Sequence, residues 1–189
     1  NKNNNILIVR EQGIGDEILF SSMYKEVINC YSNVSIECDE RLIKIFKRSF
    51  QKDIFFPFGY FSSSKAKIKK FDNVLYSGSL TKYLRKNENS FNNDPYLKSL
   101  SSLDKKINTR FKIFEGTKKI GISWKSVVNI YGDLKSLKIN HFEKIFNKNN
   151  SIINLQYGDT YEEIKCFTEK GNSIYNFNDI DLFNDFDSL

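Results

Sequence analysis

The stretch Ile6-Leu-Ile-Val-Arg-Glu-Gln-Gly-Ile-Gly-Asp-Glu-Ile-Leu-Phe20 restricts what this chain can fold into more than any other. Ile6 to Val9 form an apolar run short enough for a buried strand, and Gly13 and Gly15 let the backbone turn sharply before Asp16 opens a helix. The order is strand, glycine loop, helix. In an open α/β sheet such a loop lies at the carboxyl end of a strand, where ligands bind, and the helix start offers unpaired N–H groups to an anion. Leu19, Met23, Val27 and Cys30 follow at spacings of four, four and three, so they stack on one helix face, which Ile18 widens. Ser21, Tyr24, Lys25 and Asn29 fall on the remaining faces, which predicts a helix with one side on a sheet.

The same alternation continues. Val34–Cys38 reads as a second strand, Asp39 as the cap of a helix carrying Leu42, Ile45, Phe46 and Phe50, and Asp53–Phe56 as a third strand. At this spacing the strands pair in parallel through right-handed crossovers, as the first half of a doubly wound sheet. Pro57–Lys70 is aromatic, then rich in Ser and Lys, and predicts a loop with a basic helix. Its Phe58, Tyr60 and Phe61 suit packing better than contact with a ligand or membrane. Asn73–Tyr76 is another strand, followed by a helix from Ser79 with Leu80, Tyr83 and Leu84.

Periodicity fades through polar Asn87–Asn93 and Pro95, and a new apolar strand, Ile120–Trp124, marks a boundary. The expected domains are 1–115 and 116–189. The second contains a helix from Asn140 with Phe142, Ile145 and Phe146, a strand Ile152–Gln156, a helix Thr160–Lys170, a strand Ser173–Phe177 and a helix beginning near Asp181. Two or three strands do not complete a doubly wound sheet, so the expectation is a second domain truncated at its C-terminus. The chain also lacks an initiator Met, which suggests an excised piece.

Composition narrows the function classes. With 189 residues, 40% of them hydrophobic and 15% aromatic, there is ample material for a core. The net charge of +6 suits an anionic partner, but Lys and Asn are spread along the chain, which argues against nucleic acid and leaves room for a local phosphate site. Cys30, Cys38 and Cys166 lack any metal or disulfide spacing and read as buried thiols in a reducing compartment. No apolar run approaches the roughly 20 residues of a membrane helix, and the polar Asn1–Asn5 start is no signal peptide. A cytoplasmic protein is expected, with the basic aromatic segment suited to peripheral contact with the inner face of a membrane.

Four blocks, Glu11–Phe20, Glu37-Cys-Asp-Glu-Arg-Leu42 continuing to Phe50, Gly121-Ile-Ser-Trp-Lys125 and Leu155-Gln-Tyr-Gly-Asp159, together resemble the heptosyltransferase-like GT-B glycosyltransferases (glycosyltransferase family 9-like). The branch often fused behind tetratricopeptide repeats is the nearest in pattern, so upstream repeats are possible partners in the same protein. The resemblance implies two Rossmann-like doubly wound domains, the first for the acceptor and the second for the nucleotide-sugar donor. It further implies transfer of a hexosyl or heptosyl group to a saccharide, lipid-linked saccharide or protein acceptor, with inversion, without a metal and without a cofactor beyond the donor. The family's general base falls on Asp16, with Gln12, Gly13 and Gly15 beside the acceptor. Lys135, in Lys135-Ser-Leu-Lys-Ile-Asn-His-Phe142, resembles the basic residue that meets the donor phosphates. Ser123, Lys125 and Ser126 are second choices, and Tyr157 and Gly158 resemble the strand-end loop beside the donor. The remaining donor-gripping elements of the family would follow Leu189, so this fragment alone is expected to be impaired.

Each residue also has a plainer reading. Asp16 is equally a helix-start carboxylate, any single Lys a solvated charge, Asp159 a cap and Tyr157 a packing residue. His141 suits a structural role, and Trp124 burial against the sheet. Asp179, Asp181, Asp185 and Asp187 read as turn caps in preference to a metal motif. A non-catalytic α/β module that binds a nucleotide or partner is the main alternative. An NAD-dependent enzyme, with Glu37 or Asp39 on the ribose, is the third, weakened by Asp16 and Leu19 where small residues would be wanted.

Overall fold

The computed structural model describes residues 2–91, 94–126 and 132–188. The ends of the polar stretches at Asn1, Asn93 and Leu189 lie outside the described residues. The chain divides into two compact units, Asn1–Ser99 and Leu100–Leu189, so the helix Ser101–Arg110 and the turn after it belong to the second unit. The boundary read from the sequence lies after residue 115.

Unit 1 contains β1 (Asn5–Val9), α1 (Ile14–Ser21), α2 (Tyr24–Cys30), β2 (Asn33–Cys38), α3 (Glu40–Phe50), β3 (Phe55–Pro57), α4 (Lys65–Ile68), β4 (Asn73–Tyr76) and α5 (Thr81–Leu84), the last preceded by a 3-10 turn, Ser77–Leu80. The four strands form one parallel sheet in the order β3-β2-β1-β4, with Ile6 opposite both Val34 and Asn73. Ile6, Leu7, Ile8 and Val9 are buried, as a strand covered on both faces requires. All four strands end on the same edge, so the segments after Val9, Cys38, Pro57 and Tyr76 gather there.

The first helix departs from its expected form. It is two helices, because Ser21 and Ser22 donate their hydroxyls to the carbonyls of Ile18 and Leu19, and the backbone tightens with Met23 N–H donating to Phe20 O. The break rotates the buried face. Leu19 is 62% exposed and Cys30 is exposed, whereas Ser21 and Tyr24 are fully buried. Tyr24 centres an aromatic cluster with Phe46, Phe50 and Phe55 at centroid separations of 5.9, 5.9 and 6.3 Å. α3 forms as expected, with the Asp39 carboxylate accepting from Arg41 N–H at its start.

Unit 2 contains α6 (Ser101–Arg110), β5 (Lys118–Ile122), β6 (Asn150–Asn154) and α7 (Tyr161–Thr168). β5 and β6 pair in parallel from Lys118 opposite Asn150 to Ile122 opposite Asn154. Ile122, Trp124, Ile139, Ile152, Ile164 and Phe167 form its core. The segment Ile139–Ile145 is a 3-10 helix where an α-helix was expected. The strand expected at Ser173–Phe177 is a single bridge from Ile153 to Tyr175. The helix expected near Asp181 is a turn, because the Asp181 carboxylate accepts from Phe183 and Asn184 N–H and closes the backbone locally. Cys166 is exposed on α7, since Ile164 and Phe167 occupy its buried face, so only Cys38 of the three thiols is buried. Among the described residues, no helix is long and apolar enough to cross a membrane.

Candidate functional site

In unit 1 the strand order locates the site. From β1 the chain adds β2 and then β3 on one side, and β4 pairs with the other side of β1. The reversal falls between β1 and β4, and in open parallel sheets the crevice outside the strand ends at such a point is where ligands bind. Gln12–Asp16 and Ser77–Gly78 flank that point. Glu11 joins the two, its Oε1 accepting from Gly78 N–H at 2.9 Å.

The glycine loop works differently from the expectation. The left-handed residue is Gln12, at φ 63°, while Gly13 is extended and Gly15 is helical. Gln12 holds this conformation because Arg10 reaches over the loop and donates from Nη2 to the Gln12 carbonyl at 3.2 Å. A non-glycine residue with positive φ in an exposed loop is mild strain of the kind that gathers at functional sites. A side-chain carbon at Gly15 would meet nothing within 4 Å, so the space in front of the loop is open and packing within the chain does not demand glycine there. Asp16 is partly exposed, and its Oδ2 accepts from Gly13 N–H at 3.1 Å.

Beneath this loop lies a charged network. Arg10 Nε stands 2.9 Å from Glu17 Oε1 without hydrogen-bond alignment, and Arg10 Nη1 donates to Asp39 at 3.3 Å. Glu17 is fully buried and its Oε2 accepts from Asp39 N–H at 2.8 Å. Burial pushes the Glu17 carboxyl above its ordinary pKa despite the Asp39 N–H and Arg10. Asp39 goes the other way, to about 2, chiefly through its side-chain bonds with Arg41. Burial raises the Cys38 thiol to about 12, which makes it an inert structural group at neutral pH. Glu37, also fully buried, accepts from Gly59, Phe61 and Ser62 N–H and from the Ser62 hydroxyl, so it serves the loop after β3.

Compared with family models, curated proteins and solved structures, the chain matches none.

In unit 2, Gln156 gathers three of the expected residues, Ser123, Lys125 and Tyr157. Its buried Oε1 accepts from Ser123 Oγ at 3.0 Å and from Trp124 and Lys125 N–H at 2.8 Å each, and its Nε2 donates to the Tyr157 carbonyl. Gln156 therefore fastens the segment after β5 to the segment after β6. Ser126 N–H donates to Ser136 Oγ and Leu137 N–H to the Trp124 carbonyl, which brings the turn carrying Lys135 to the same strand ends. Lys125 lies 3.3 Å from Glu163 and donates to the Asp159 carbonyl, whereas Lys135 is exposed. Burial raises the pKa of Glu163, but bonds from Trp124, Ile139 and Lys125 outweigh it and hold the carboxyl below its usual range. Gly158, at φ 87°, borders an open polar cleft of about 510 Å³ with Asp159, Thr160, Asn176 and Asn178. Tyr157 packs on Phe183 at 5.5 Å.

Several plainer readings hold. Trp124 is buried in the core and donates to Glu163 at 3.0 Å. His141 Nδ1 accepts a long bond from Lys138 N–H, as a cap does, whereas the Asp179 carboxylate, expected as a turn cap, is paired in bidentate fashion with Arg110. Arg10, Glu17 and Gln156 are the organising residues that sequence reasoning missed. The available signal was a polar side chain interrupting an apolar strand or helix face, which burial explains only when a partner is already known.

Proposed function

We propose that this chain forms part of an inverting glycosyltransferase of the heptosyltransferase-like GT-B kind, moving a sugar from a nucleotide-sugar to a saccharide or protein acceptor. The observation that supports it most is the position of Asp16, at the head of α1 where the strand order of a parallel sheet reverses. In this reading the Asp16 carboxylate takes the proton of an acceptor hydroxyl as that oxygen bonds to the anomeric carbon. The bond from that carbon to the diphosphate oxygen breaks on the opposite side, so the centre inverts. In unit 2 taken by itself, Lys135 with the Ser123–Ser126 segment is the proposed contact for a nucleotide diphosphate.

One contact favours a second reading. The bond from Gly13 N–H makes Asp16 a helix cap, which a non-catalytic nucleotide-binding module would need equally.

Asp16→Asn separates the two, because the amide oxygen still accepts from Gly13 and the fold is kept. In the complete protein, assayed against a panel of nucleotide-sugars, this variant is expected to lose about 100-fold in turnover with nucleotide affinity nearly intact. Normal turnover removes Asp16 from the mechanism. Nucleotide binding without transfer from any donor leaves the binding module as the better account.

A further inference from the structure

We infer that the segment between β3 and β4 of unit 1 is a platform that docks on an anionic membrane surface. It holds whether or not Asp16 is a base. Residues 57–71 contain Lys65, Lys67, Lys69 and Lys70, all exposed, and neither Asp nor Glu. In the same segment Phe58 is 58% exposed and Tyr60 48% exposed, and the Lys67 ammonium stands over the Tyr60 ring. Exposed aromatic side chains in one short segment with four exposed lysines match a lipid interface, where rings settle at headgroup level and each cation is attracted by anionic headgroups.

The platform is rigid before it meets a partner. Phe61 packs edge-on against Phe56, Tyr60 and Phe71 at 4.9, 4.8 and 5.0 Å, and Phe56 stacks on Tyr60 at 5.2 Å. The buried Glu37 carboxylate fixes the backbone of Gly59, Phe61 and Ser62 from below. Tyr60 is therefore held by built contacts, and Phe58 is tied at its backbone, where its N–H donates to the Cys38 carbonyl at 2.9 Å, so less conformational freedom is left to lose on docking.

These contacts favour a membrane over single-stranded nucleic acid, the other partner of basic aromatic surfaces. A base needs an open ring face. Tyr60 has Phe56 stacked on its ring and the Lys67 ammonium 4.4 Å from its centroid, so that ring is already engaged, which leaves Phe58, with the Arg10 guanidinium 5.3 Å from its centroid, as the one exposed ring of the pair with a face to offer a base.

The test is co-sedimentation of the full chain with vesicles of phosphatidylcholine, with and without phosphatidylserine. The chain is expected to sediment with the phosphatidylserine vesicles only, and less so as salt rises. Lys65→Gln, Lys69→Gln and Lys70→Gln together are expected to lower partitioning about 100-fold, at roughly five-fold per lysine. Phe58→Ser is expected to lower it about ten-fold. Lys67 is left in place because its ammonium donates to the Tyr60 carbonyl, and circular dichroism checks that both variants fold. Unchanged partitioning in the folded triple variant, or equal binding to pure phosphatidylcholine, overturns the proposal. So does tighter binding to oligothymidylate at the same salt, or a lipid-independent dimer that Phe58→Ser dissociates, which would make the partner a second copy.

Discussion

The backbone N–H of Gly78 donates to Oε1 of Glu11, tying the segment after β1 to the turn after β4 across the reversal in strand order. The glycine is required by what lies above it. A side-chain carbon at Gly78 would stand 2.1 Å from Glu11 Oε1 and 3.1 Å from Phe20 Cζ. Gly78→Ala therefore forces Glu11 to abandon its bond and Phe20 to shift. Its unfolding free energy should fall by about 1–2 kcal/mol, read as a lower urea midpoint. A midpoint equal to that of the parent chain would mean the contact carries no constraint.

Asp39 should give the protein an acid-sensitive increment. Its side-chain bonds with Arg41, aided by Arg10, outweigh burial and lower its pKa from 3.8 to about 2. Because the folded value lies below the unfolded one, the increment is present above about pH 4 and is lost as pH falls toward about 2. Asn also caps helices, so Asp39→Asn isolates the charge. The variant should be less stable by about 2 kcal/mol at neutral pH, with the gap closing on acidification. Denaturation curves across that range would reject the assignment if the gap stayed constant.

Tyr24 should improve by losing its hydroxyl. The ring is fully buried in the aromatic cluster, and the hydroxyl has no hydrogen-bond partner among the described residues. Desolvation accordingly drives its pKa well above the ordinary tyrosine value. Tyr24→Phe keeps the packing and removes a desolvated polar atom, so thermal unfolding should show a gain of about 1 kcal/mol. Lower stability would show that the hydroxyl is satisfied in solution.

Lys135 should matter to a diphosphate and not to the fold. Its side chain is exposed, unlike Lys125, whose ammonium lies beside Glu163. Lys135→Ala is expected to weaken calorimetric binding of uridine or guanosine diphosphate by the complete protein about ten-fold at unchanged melting temperature. Equal affinity in the variant would move the phosphate site elsewhere.

Much of unit 1 was legible because its signals are local. Ile6–Val9 is an apolar run of strand length, Val34–Cys38 and Asn73–Tyr76 are strand-length segments rich in apolar residues, and Asp39 ahead of Leu42 and Phe46 announces a capped helix. The first helix misled because its apolar spacing continues smoothly through Ser21 and Ser22. The break depends on those two hydroxyls bonding back to the backbone. Unit 2 was harder because its segments are short: the 3-10 helix at Ile139–Ile145 and the bridge at Tyr175 carry the same apolar residues that longer elements would.

The sequence by itself determined the parallel α/β character of unit 1 and the loop on which Asp16 stands, since period and capping depend on neighbours a few residues apart. Only the tertiary structure decided which polar residues were to be enclosed. Glu17 and Glu37 have nothing in their local sequence that separates them from the exposed Glu40. Glu37 is buried because the backbone N–H groups of Gly59, Phe61 and Ser62 arrive from a distant segment to satisfy it, and Glu17 because Asp39 N–H bonds one of its oxygens while the Arg10 charge stands beside the other. A carboxylate goes inside only where the fold supplies its donors, and those donors are assembled by the sheet.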